Sequence, residues 1–451
     1  MRRTGGSSGG DDFFDPGPRA RQSAPFSSLA HCDGPQMRGA GSVRTTVRAG
    51  GPGRLRNRQT VDLREKIGRY TAEPMMDRRT LLSALFSLGT SQSASICLAA
   101  KNPDPRSEVG ALSLDQMIGK MIVMGFWGSD PASPGAQAVS LWLKRGDIGG
   151  VIFFEDNLLS PRIARDLTRS FRESAGSSRP FLCVDQEGGA VTRLRADRGF
   201  EPLPAARSLA TRSPHIAEVF YNRTADELRH FGFNVNFGPV VDLALNHHGP
   251  IANIGRSYAE DPATVIEYAK TFINSHRRNH VATALKHFPG LGSSGTDSHR
   301  SMPIITATWS PDEMRPFAAL VEDGYADMVM MAHVVHADLT EANRPASLST
   351  HAIENVLRGE LHYDGIVIAD DMQMGAITQS FTPDESILLG IEAGLDLFIY
   401  SNRQHPDAQM PERFHRVTKA AVDSNRLPLA RIQQSVYRIL RLKQSMGYEE
   451  Q

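Results

Sequence analysis

The amino-acid sequence predicts an α/β protein, a single (β/α)8 barrel of the TIM type with a disordered N-terminal extension. Three observations predict this fold. Eight short apolar runs recur between residues 121 and 400, most of them separated by enough chain for a helix. The runs are continuous rather than alternating, which is typical of parallel strands buried on both faces. Polar side chains follow most of the runs directly, at the edge where a barrel collects its functional groups.

The first segment, residues 1–75, is rich in Gly, Arg, Ser and Pro and shows no sustained periodicity. Such a composition cannot bury enough apolar surface to offset the entropy of an ordered chain. We therefore expect a disordered extension. The alternative is that the translation start is assigned too far upstream, because a different sequence pattern begins at Met75-Met76.

The next segment, residues 76–100, has the pattern of a signal peptide. Arg78-Arg79 precede an apolar run over residues 81–88 and a stretch of small residues, and the run is too short to span a bilayer. The paired arginines predict export to the periplasm by the twin-arginine route. An amphipathic helix that docks on the domain, in a cytoplasmic protein, is the alternative. No later run is long and apolar enough to cross a membrane.

The barrel domain is predicted over residues 110–446. An amphipathic pattern over 429–443 predicts its closing helix. The eight predicted strands are 121–125, 150–154, 181–184, 234–237, 281–285, 328–331, 365–369 and 395–400.

Six of these runs are followed by polar or charged residues. Because the carboxyl ends of parallel barrel strands meet at one face, we expect these side chains to form a single site. In strand order they are Asp185-Gln186-Glu187 with Arg193, Asp242 with Arg256 in the next loop, Lys286-His287, His333, Asp370-Asp371, and Ser401-Asn402.

The loop after the fifth predicted strand carries the residues that most clearly indicate acid–base chemistry. It is rich in glycine and ends in Asp297-Ser298-His299. An aspartate beside a histidine holds one tautomer of the ring and raises its basicity, as a general acid–base group requires.

The overall composition excludes several classes of protein. The 451 residues contain 50 Lys and Arg and 50 Asp and Glu. The chain has no net charge that would attract nucleic acid, so the expected partner is a small or uncharged ligand. Three scattered cysteines, Cys32, Cys97 and Cys183, form neither a disulfide framework nor a zinc site.

Four motifs lie in order along the predicted barrel. They are Asp185-Gln186-Glu187-Gly188-Gly189, Lys286-His287-Phe288-Pro289-Gly290, Asp297-Ser298-His299 and Ile368-Ala369-Asp370-Asp371-Met372. Together they resemble glycoside hydrolase family 3, in particular its single-domain bacterial β-N-acetylglucosaminidases. Because a cation among Lys286, Arg193 and Arg256 would meet like charge, we expect neither a metal nor an organic cofactor. The resemblance implies a retaining exo-enzyme that removes terminal β-linked GlcNAc from muropeptides or peptidoglycan fragments. It leaves the oligomeric state open.

The resemblance also implies a role for each matching residue. Asp370 corresponds to the catalytic nucleophile, His299 to the acid/base, and Asp297 to the carboxylate that polarises His299. Retaining hydrolysis needs such a pair, because one group captures the sugar and the other protonates the leaving oxygen. The residues implied to hold the sugar are Asp185, Arg193, Arg256, Lys286 and His287.

The sequence departs from the family pattern at three places. Leu291 stands where a third loop histidine is usual, and His362 replaces a glycine before the seventh strand. The segment before Arg256 is about one residue shorter than in close relatives, which bears on the role of that arginine.

Four alternatives remain at this point. A metal-dependent barrel hydrolase would use His287, His299, His333 and Asp370 as ligands, although no His-x-His follows the first strand. A β-glucosidase or β-xylosidase of the same family commonly takes its acid from a second domain. Phosphorolysis is compatible with a histidine acid/base, because a neutral ring does not repel phosphate. A sugar-binding protein would lack the nucleophile or the acid.

Overall fold

The structure, a computed structural model, describes residues 104–403 and 405–447. Eight parallel strands form one sheet in the order β7-β6-β5-β4-β3-β2-β1-β8. The two outer strands approach each other through a bridge between Ile368 and Leu397. The predicted (β/α)8 barrel is confirmed. The predictions for residues 1–75 and 76–100 lie outside the described residues.

The strands follow the predicted apolar runs, and their side chains are buried on both faces of the sheet. The largest difference is at the fifth strand, which continues through Phe288 and so includes Lys286 and His287. The bounds are β1 Ile122–Met124, β2 Gly150–Phe153, β3 Phe181–Val184, β4 Val235–Asn236, β5 Ala282–Phe288, β6 Met328–Met331, β7 Ile366–Ala369 and β8 Phe398–Tyr400.

Helices fill the connections between strands and cover the outside of the barrel. Several begin with proline in the first turn, where the missing N–H has no intrahelical partner to lose. Their bounds are Pro105–Ala111, Leu114–Lys120, Pro134–Arg145, Pro161–Ala175, Ala206–Ala210, Pro214–Phe231, Pro262–Arg278, Arg315–Glu322, a π-helix His351–Glu360, Gly375–Thr378, Pro383–Ala393, Met410–Asp423 and Leu429–Ser445. None of those in the described ranges is long and apolar enough to cross a bilayer.

The shortest strand, β4, is supported by asparagine side chains. Asn234 accepts a hydrogen bond from the Leu182 backbone N–H at 2.7 Å, and Asn236 accepts one from Gln186 at 2.9 Å. These amides extend the pairing of β3 with β4 beyond the strand itself. They hold the segment after β3, which carries Asp185 and Glu187, against β4.

The seam between β7 and β8 is closed by a buried carboxylate. Asp396 donates its backbone N–H to the Val367 carbonyl at 2.7 Å and accepts the Val367 N–H with its side chain at 3.0 Å. Arg358, Arg431 and Arg438 surround the same carboxylate at 2.9 to 3.3 Å. Burial acts to raise the pKa of Asp396, but the three guanidinium groups outweigh it and lower the pKa.

His362, just before β7, is exposed and has a φ of 56°. This is the left-handed region, in which glycine has no steric penalty. The backbone therefore accounts for the glycine that the family pattern has here.

Candidate active site

The carboxyl ends of the strands surround a cleft of about 200 Å³. Of the predicted site residues, Asp185, Arg193, His299 and Asp370 line this cleft. They come from the segments after β3, β5 and β7, so the barrel brings together groups that are far apart in sequence. The other lining residues are Ile152, Phe154, Phe237, Met330, Asp371, Met374, Ile399, Ser401 and Arg403.

Two aspartates follow β7, and their surroundings differ. The Asp370 carboxylate accepts the Asp371 backbone N–H at 2.8 Å. The Asp371 carboxylate accepts the backbone N–H groups of Gln373 at 3.1 Å and Ser401 at 2.9 Å. The Asp371 side chain is thus used to position the segments after β7 and β8.

The same surroundings separate the two pKa values. Burial acts to raise the pKa of Asp370, but the imidazoles of His287 and His333 and the Asp371 backbone N–H outweigh it, so this pKa lies below its ordinary value. Burial raises the pKa of Asp371 to about 6, against the hydrogen bonds from Ser401 and Gln373. Asp370 is therefore the more completely ionised of the two at neutral pH, as a nucleophile must be.

The predicted pair of Asp297 and His299 is formed. His299 Nδ1 lies 2.9 Å from the Asp297 carboxylate, which also accepts the His299 backbone N–H at 3.0 Å. Burial acts to raise the pKa of Asp297, but these two hydrogen bonds lower it. The ionised aspartate assigns the proton of the neutral ring to Nδ1, which leaves Nε2 for a proton transfer to or from a ligand. Both side chains are well exposed, at 60% for His299 and 44% for Asp297.

The loop that carries this pair is anchored at its base by two buried carboxylates. Glu313 accepts the backbone N–H groups of Gly292 at 2.8 Å and Ser293 at 3.2 Å, and Asp242 accepts that of Leu291 at 2.9 Å. Burial raises the pKa of Glu313 to about 7, against its hydrogen bonds with Ser293. Leu291 is buried at this anchor, where the family pattern has a histidine.

The tip of the loop is tied to the helix that follows Asp370. The backbone N–H of Gly375 donates to the His299 carbonyl at 3.2 Å, and that of Ala376 donates to the Ser298 carbonyl at 3.1 Å. The segments that carry His299 and Asp370 are therefore hydrogen-bonded to each other through the main chain.

A network of buried charges supports the inner wall of the cleft. Lys286 lies between the carboxylates of Asp185, at 2.9 Å, and Glu187, at 2.6 Å. Arg256 forms two hydrogen bonds of 2.8 Å with Glu187. Burial acts to raise the pKa of Glu187, but these two cations outweigh it and hold the pKa far below its ordinary value.

His287 extends this network. Its Nδ1 lies 2.7 Å from the Asp242 carboxylate, and its Nε2 accepts a hydrogen bond from Arg256 at 3.2 Å. Arg193 pairs with Asp185 at 3.4 Å. Lys286 and His287 are buried, and neither they nor Arg256 are among the residues that line the cleft.

The metal-dependent alternative finds no support in the described part of the chain. There, no three His, Cys, Asp or Glu side chains are grouped to hold a metal ion. His333, one of its proposed ligands, uses Nδ1 with the Ser347 hydroxyl at 2.7 Å and Nε2 with the Asp371 carbonyl at 3.0 Å.

Three residues important to the site had no role assigned from the sequence. The sequence pattern indicates Glu187 and Asp242 only by their positions after β3 and β4, and it does not indicate Arg403. The carboxylates could have been found by asking which acids at strand ends neutralise Lys286 and Arg256. No comparable signal indicates Arg403, which follows β8 in an irregular segment.

The cleft of this barrel thus holds an aspartate and a histidine paired to a second aspartate, which are groups of the kind that acid–base chemistry uses. Residues 113–442 match the Glycosyl hydrolase family 3 N terminal domain. The chain belongs to glycoside hydrolase family 3, as its motifs predicted.

Individual relatives agree with this assignment. The Beta-hexosaminidase of Xylella fastidiosa (strain M23) is 34% identical over 299 residues, which cover 64% of this chain and 84% of that protein. Beta-hexosaminidase A of Pseudoalteromonas piscicida is 27% identical over 367 residues, covering 74% and 61%. A solved glycoside hydrolase family 3 beta-N-acetylglucosaminidase from Paenibacillus sp. str. FPU-7 has a TM-score of 0.69 and 33% identity, with 75% of this chain and 63% of that chain covered. This chain thus spans less than two thirds of the length of the last two.

Proposed function

We propose that the chain is a retaining exo-β-N-acetylglucosaminidase with Asp370 as nucleophile and His299 as acid/base. One observation carries the proposal: Asp370 and His299 line the same cleft, and Asp297 holds the far side of the His299 ring. The names of the relatives support GlcNAc as the sugar that is removed.

In the first step, the Asp370 carboxylate attacks the anomeric carbon and the bond from that carbon to the leaving oxygen breaks. The leaving oxygen takes the electron pair and a proton from His299 Nε2. Asp297 stabilises the imidazolium before this transfer and the Nδ1–H tautomer after it.

In the second step, His299 removes a proton from water, and the resulting hydroxide attacks the same carbon. The bond to Asp370 breaks, and its electron pair returns to the carboxylate. Two displacements at one carbon restore the original configuration, so the released sugar is the β-anomer.

Asp185 is the acceptor that we propose for the sugar hydroxyls, and Arg193 is the neighbouring donor, because both line the cleft. Lys286 pairs with Asp185 and Glu187, and Arg256 pairs with Glu187, so these two cations balance the two carboxylates. His287 is hydrogen-bonded to Asp242 and Arg256 instead. Direct contact of these three residues with the sugar stays a prediction.

The function is tested with 4-nitrophenyl β-GlcNAc and its β-glucose counterpart, measured by kcat/KM. We expect the first to be cleaved much faster, and Asp370→Ala to abolish turnover without unfolding the protein. A 5-fluoro glycosyl fluoride of GlcNAc should label Asp370 covalently. A label on Asp371 or Glu187 would refute the assignment of the nucleophile.

The same assay separates hydrolysis from phosphorolysis. We expect β-GlcNAc as the first product, seen by NMR, at the same rate with and without phosphate. Formation of GlcNAc 1-phosphate would identify a phosphorylase instead.

Export and a muropeptide substrate belong to the same proposal and are supported by the sequence pattern of residues 76–100 and by the family resemblance. A fusion that starts at Met76 should reach the periplasm and lose about twenty residues. Replacing Arg78 and Arg79 with lysine should block export. A fusion that stays uncleaved in the cytoplasm would favour the cytoplasmic alternative.

A further inference from the structure

The acid/base pair lies on a loop, residues 289–300, which we call the acid/base loop. The side chains of the pair are little packed, since His299 is 60% exposed and Asp297 is 44% exposed. Gly295 and Thr296, just before the pair, are exposed as well. A pair with so few packing contacts keeps its place mainly through the main chain on either side of it. The position of His299 therefore depends on how the ends of the acid/base loop are held.

The base of the acid/base loop is held by Glu313. This carboxylate is fully buried, and its Oε2 accepts the backbone N–H groups of Gly292 at 2.8 Å and Ser293 at 3.2 Å. The second anchor, Asp242, accepts the N–H of Leu291 at 2.9 Å, one residue farther from the pair. Glu313 is thus the carboxylate that holds the loop nearest to the acid/base pair.

A short turn connects this anchor to the pair. The Ser294 hydroxyl accepts the Thr296 backbone N–H at 3.2 Å and donates to the Thr296 carbonyl at 2.9 Å. Asp297 is only the fourth residue after Ser293, where the second hydrogen bond to Glu313 is made. Because the intervening residues are closed into a turn, a displacement at the base of the loop is passed on to the pair.

We propose that Glu313 is a positioning residue for the acid/base step, which holds His299 Nε2 within reach of the leaving oxygen through the base of the acid/base loop. Glu313 itself is not among the residues that line the cleft, so it acts through His299 and not on the sugar. This proposal rests on the proposed function and deepens it. A reacting group misplaced by about 1 Å can lose about 10²-fold in rate. The loss should appear only where the leaving oxygen needs a proton.

The experiment compares two substrates of the full chain by kcat/KM, which reports the first displacement. Phenyl β-GlcNAc needs a proton on its leaving oxygen, whereas 2,4-dinitrophenyl β-GlcNAc releases a stable anion. Glu313→Met keeps the length of the side chain and removes the carboxylate acceptor. We expect the ratio of kcat/KM for the phenyl to that for the dinitrophenyl substrate to fall about tenfold, part of the about 10²–10⁴-fold that a general acid supplies. A smaller folded fraction would lower both values and leave the ratio unchanged.

Glu313→Gln is the conservative variant. Its amide oxygen can face the loop while its NH2 group faces Ser310, whose backbone N–H lies 3.4 Å from Oε1 of the wild-type carboxylate. A neutral acceptor forms weaker hydrogen bonds than a carboxylate, so the ratio should lie between those of the wild type and Glu313→Met. If Glu313→Met does not fold, the ratio of Glu313→Gln decides: a value below that of the wild type supports the proposal, and an unchanged value overturns it.

Glu227→Met is the matched control. Glu227 also accepts a backbone N–H, that of Glu201 at 2.9 Å, and burial likewise raises its pKa to about 7. It holds a segment after β3 rather than the acid/base loop, so its ratio should equal that of the wild type.

The outcomes separate this proposal from the proposed function. An unchanged ratio in Glu313→Met, with a lowered ratio in His299→Ala, would overturn the positioning role alone. An unchanged ratio in His299→Ala would refute the acid/base assignment on which the positioning role rests. If the wild type hydrolyses neither substrate, the proposed function itself is refuted.

Discussion

Replacement of Glu187 by glutamine should destabilise the barrel strongly, although the side chain keeps its size and shape. Glu187 is 4% exposed and neutralises both Lys286 and Arg256. In Glu187→Gln, Lys286 retains Asp185 at 2.9 Å, whereas Arg256 loses its direct carboxylate partner and keeps a hydrogen bond to His287 Nε2. One buried cation thus loses its counter-charge, which typically costs about 3–5 kcal/mol.

The assay is denaturant unfolding of the wild type and the variant at pH 7. The matched control is Glu392→Gln, because Glu392 pairs with Arg426 at the same distance of 2.8 Å on the surface. Exposed pairs contribute about 0–1 kcal/mol, so the control should change the free energy of unfolding by no more than that. Equal losses in the two variants would refute the argument that burial decides the magnitude.

The pH dependence supplies a second test with a definite sign. The folded pKa of Glu187 lies far below its ordinary value, so its contribution to stability is present above the unfolded pKa of about 4.3 and is lost as pH falls below it. The difference between wild type and Glu187→Gln should therefore be constant near pH 7 and narrow below about pH 4. A difference that widens in acid would contradict the depressed pKa.

The remaining predictions concern catalysis, the backbone and metals. Replacing His299 with alanine should slow cleavage of substrates with poor leaving groups by about 10²–10⁴-fold, and Asp297→Asn should share part of the defect. Equal losses for good and poor leaving groups would show that His299 only binds. His362→Gly should raise the free energy of unfolding by about 0.5–1 kcal/mol, since it relieves a left-handed residue; a decrease would show that the imidazole is needed. Activity should survive exhaustive chelation, and its loss followed by recovery with one divalent metal would return the metal-dependent alternative.

The sequence predicts the barrel well because buried parallel strands are marked by continuous apolar runs. It predicts strand ends less well where a functional residue interrupts the run. Lys286 and His287 end the apolar pattern of β5, but their backbone continues the strand to Phe288. At β4, asparagine side chains supply part of the hydrogen bonding between strands, and the sequence pattern does not predict these bonds.

The candidate site likewise has features that the sequence predicts and features that it does not. The positions of Asp185, His299 and Asp370 after their strands could be predicted, because barrel geometry brings such positions to one face. The pairing of Glu187 with Arg256, 69 residues later, could not, since it depends on how two loops fold against each other. The Asp297–His299 pair was predictable because its partners are two residues apart.

The main-chain tie between the loop tip and the helix Gly375–Thr378 bears on how this enzyme could be re-engineered. A Cβ at Gly375 would lie 2.7 Å from the His299 carbonyl oxygen, so only glycine lets the two segments approach this closely. If the loop that ends in His299 is replaced by that of a relative, the matching stretch after β7 must therefore be replaced with it. The two segments must be exchanged together, although about seventy residues separate them along the chain.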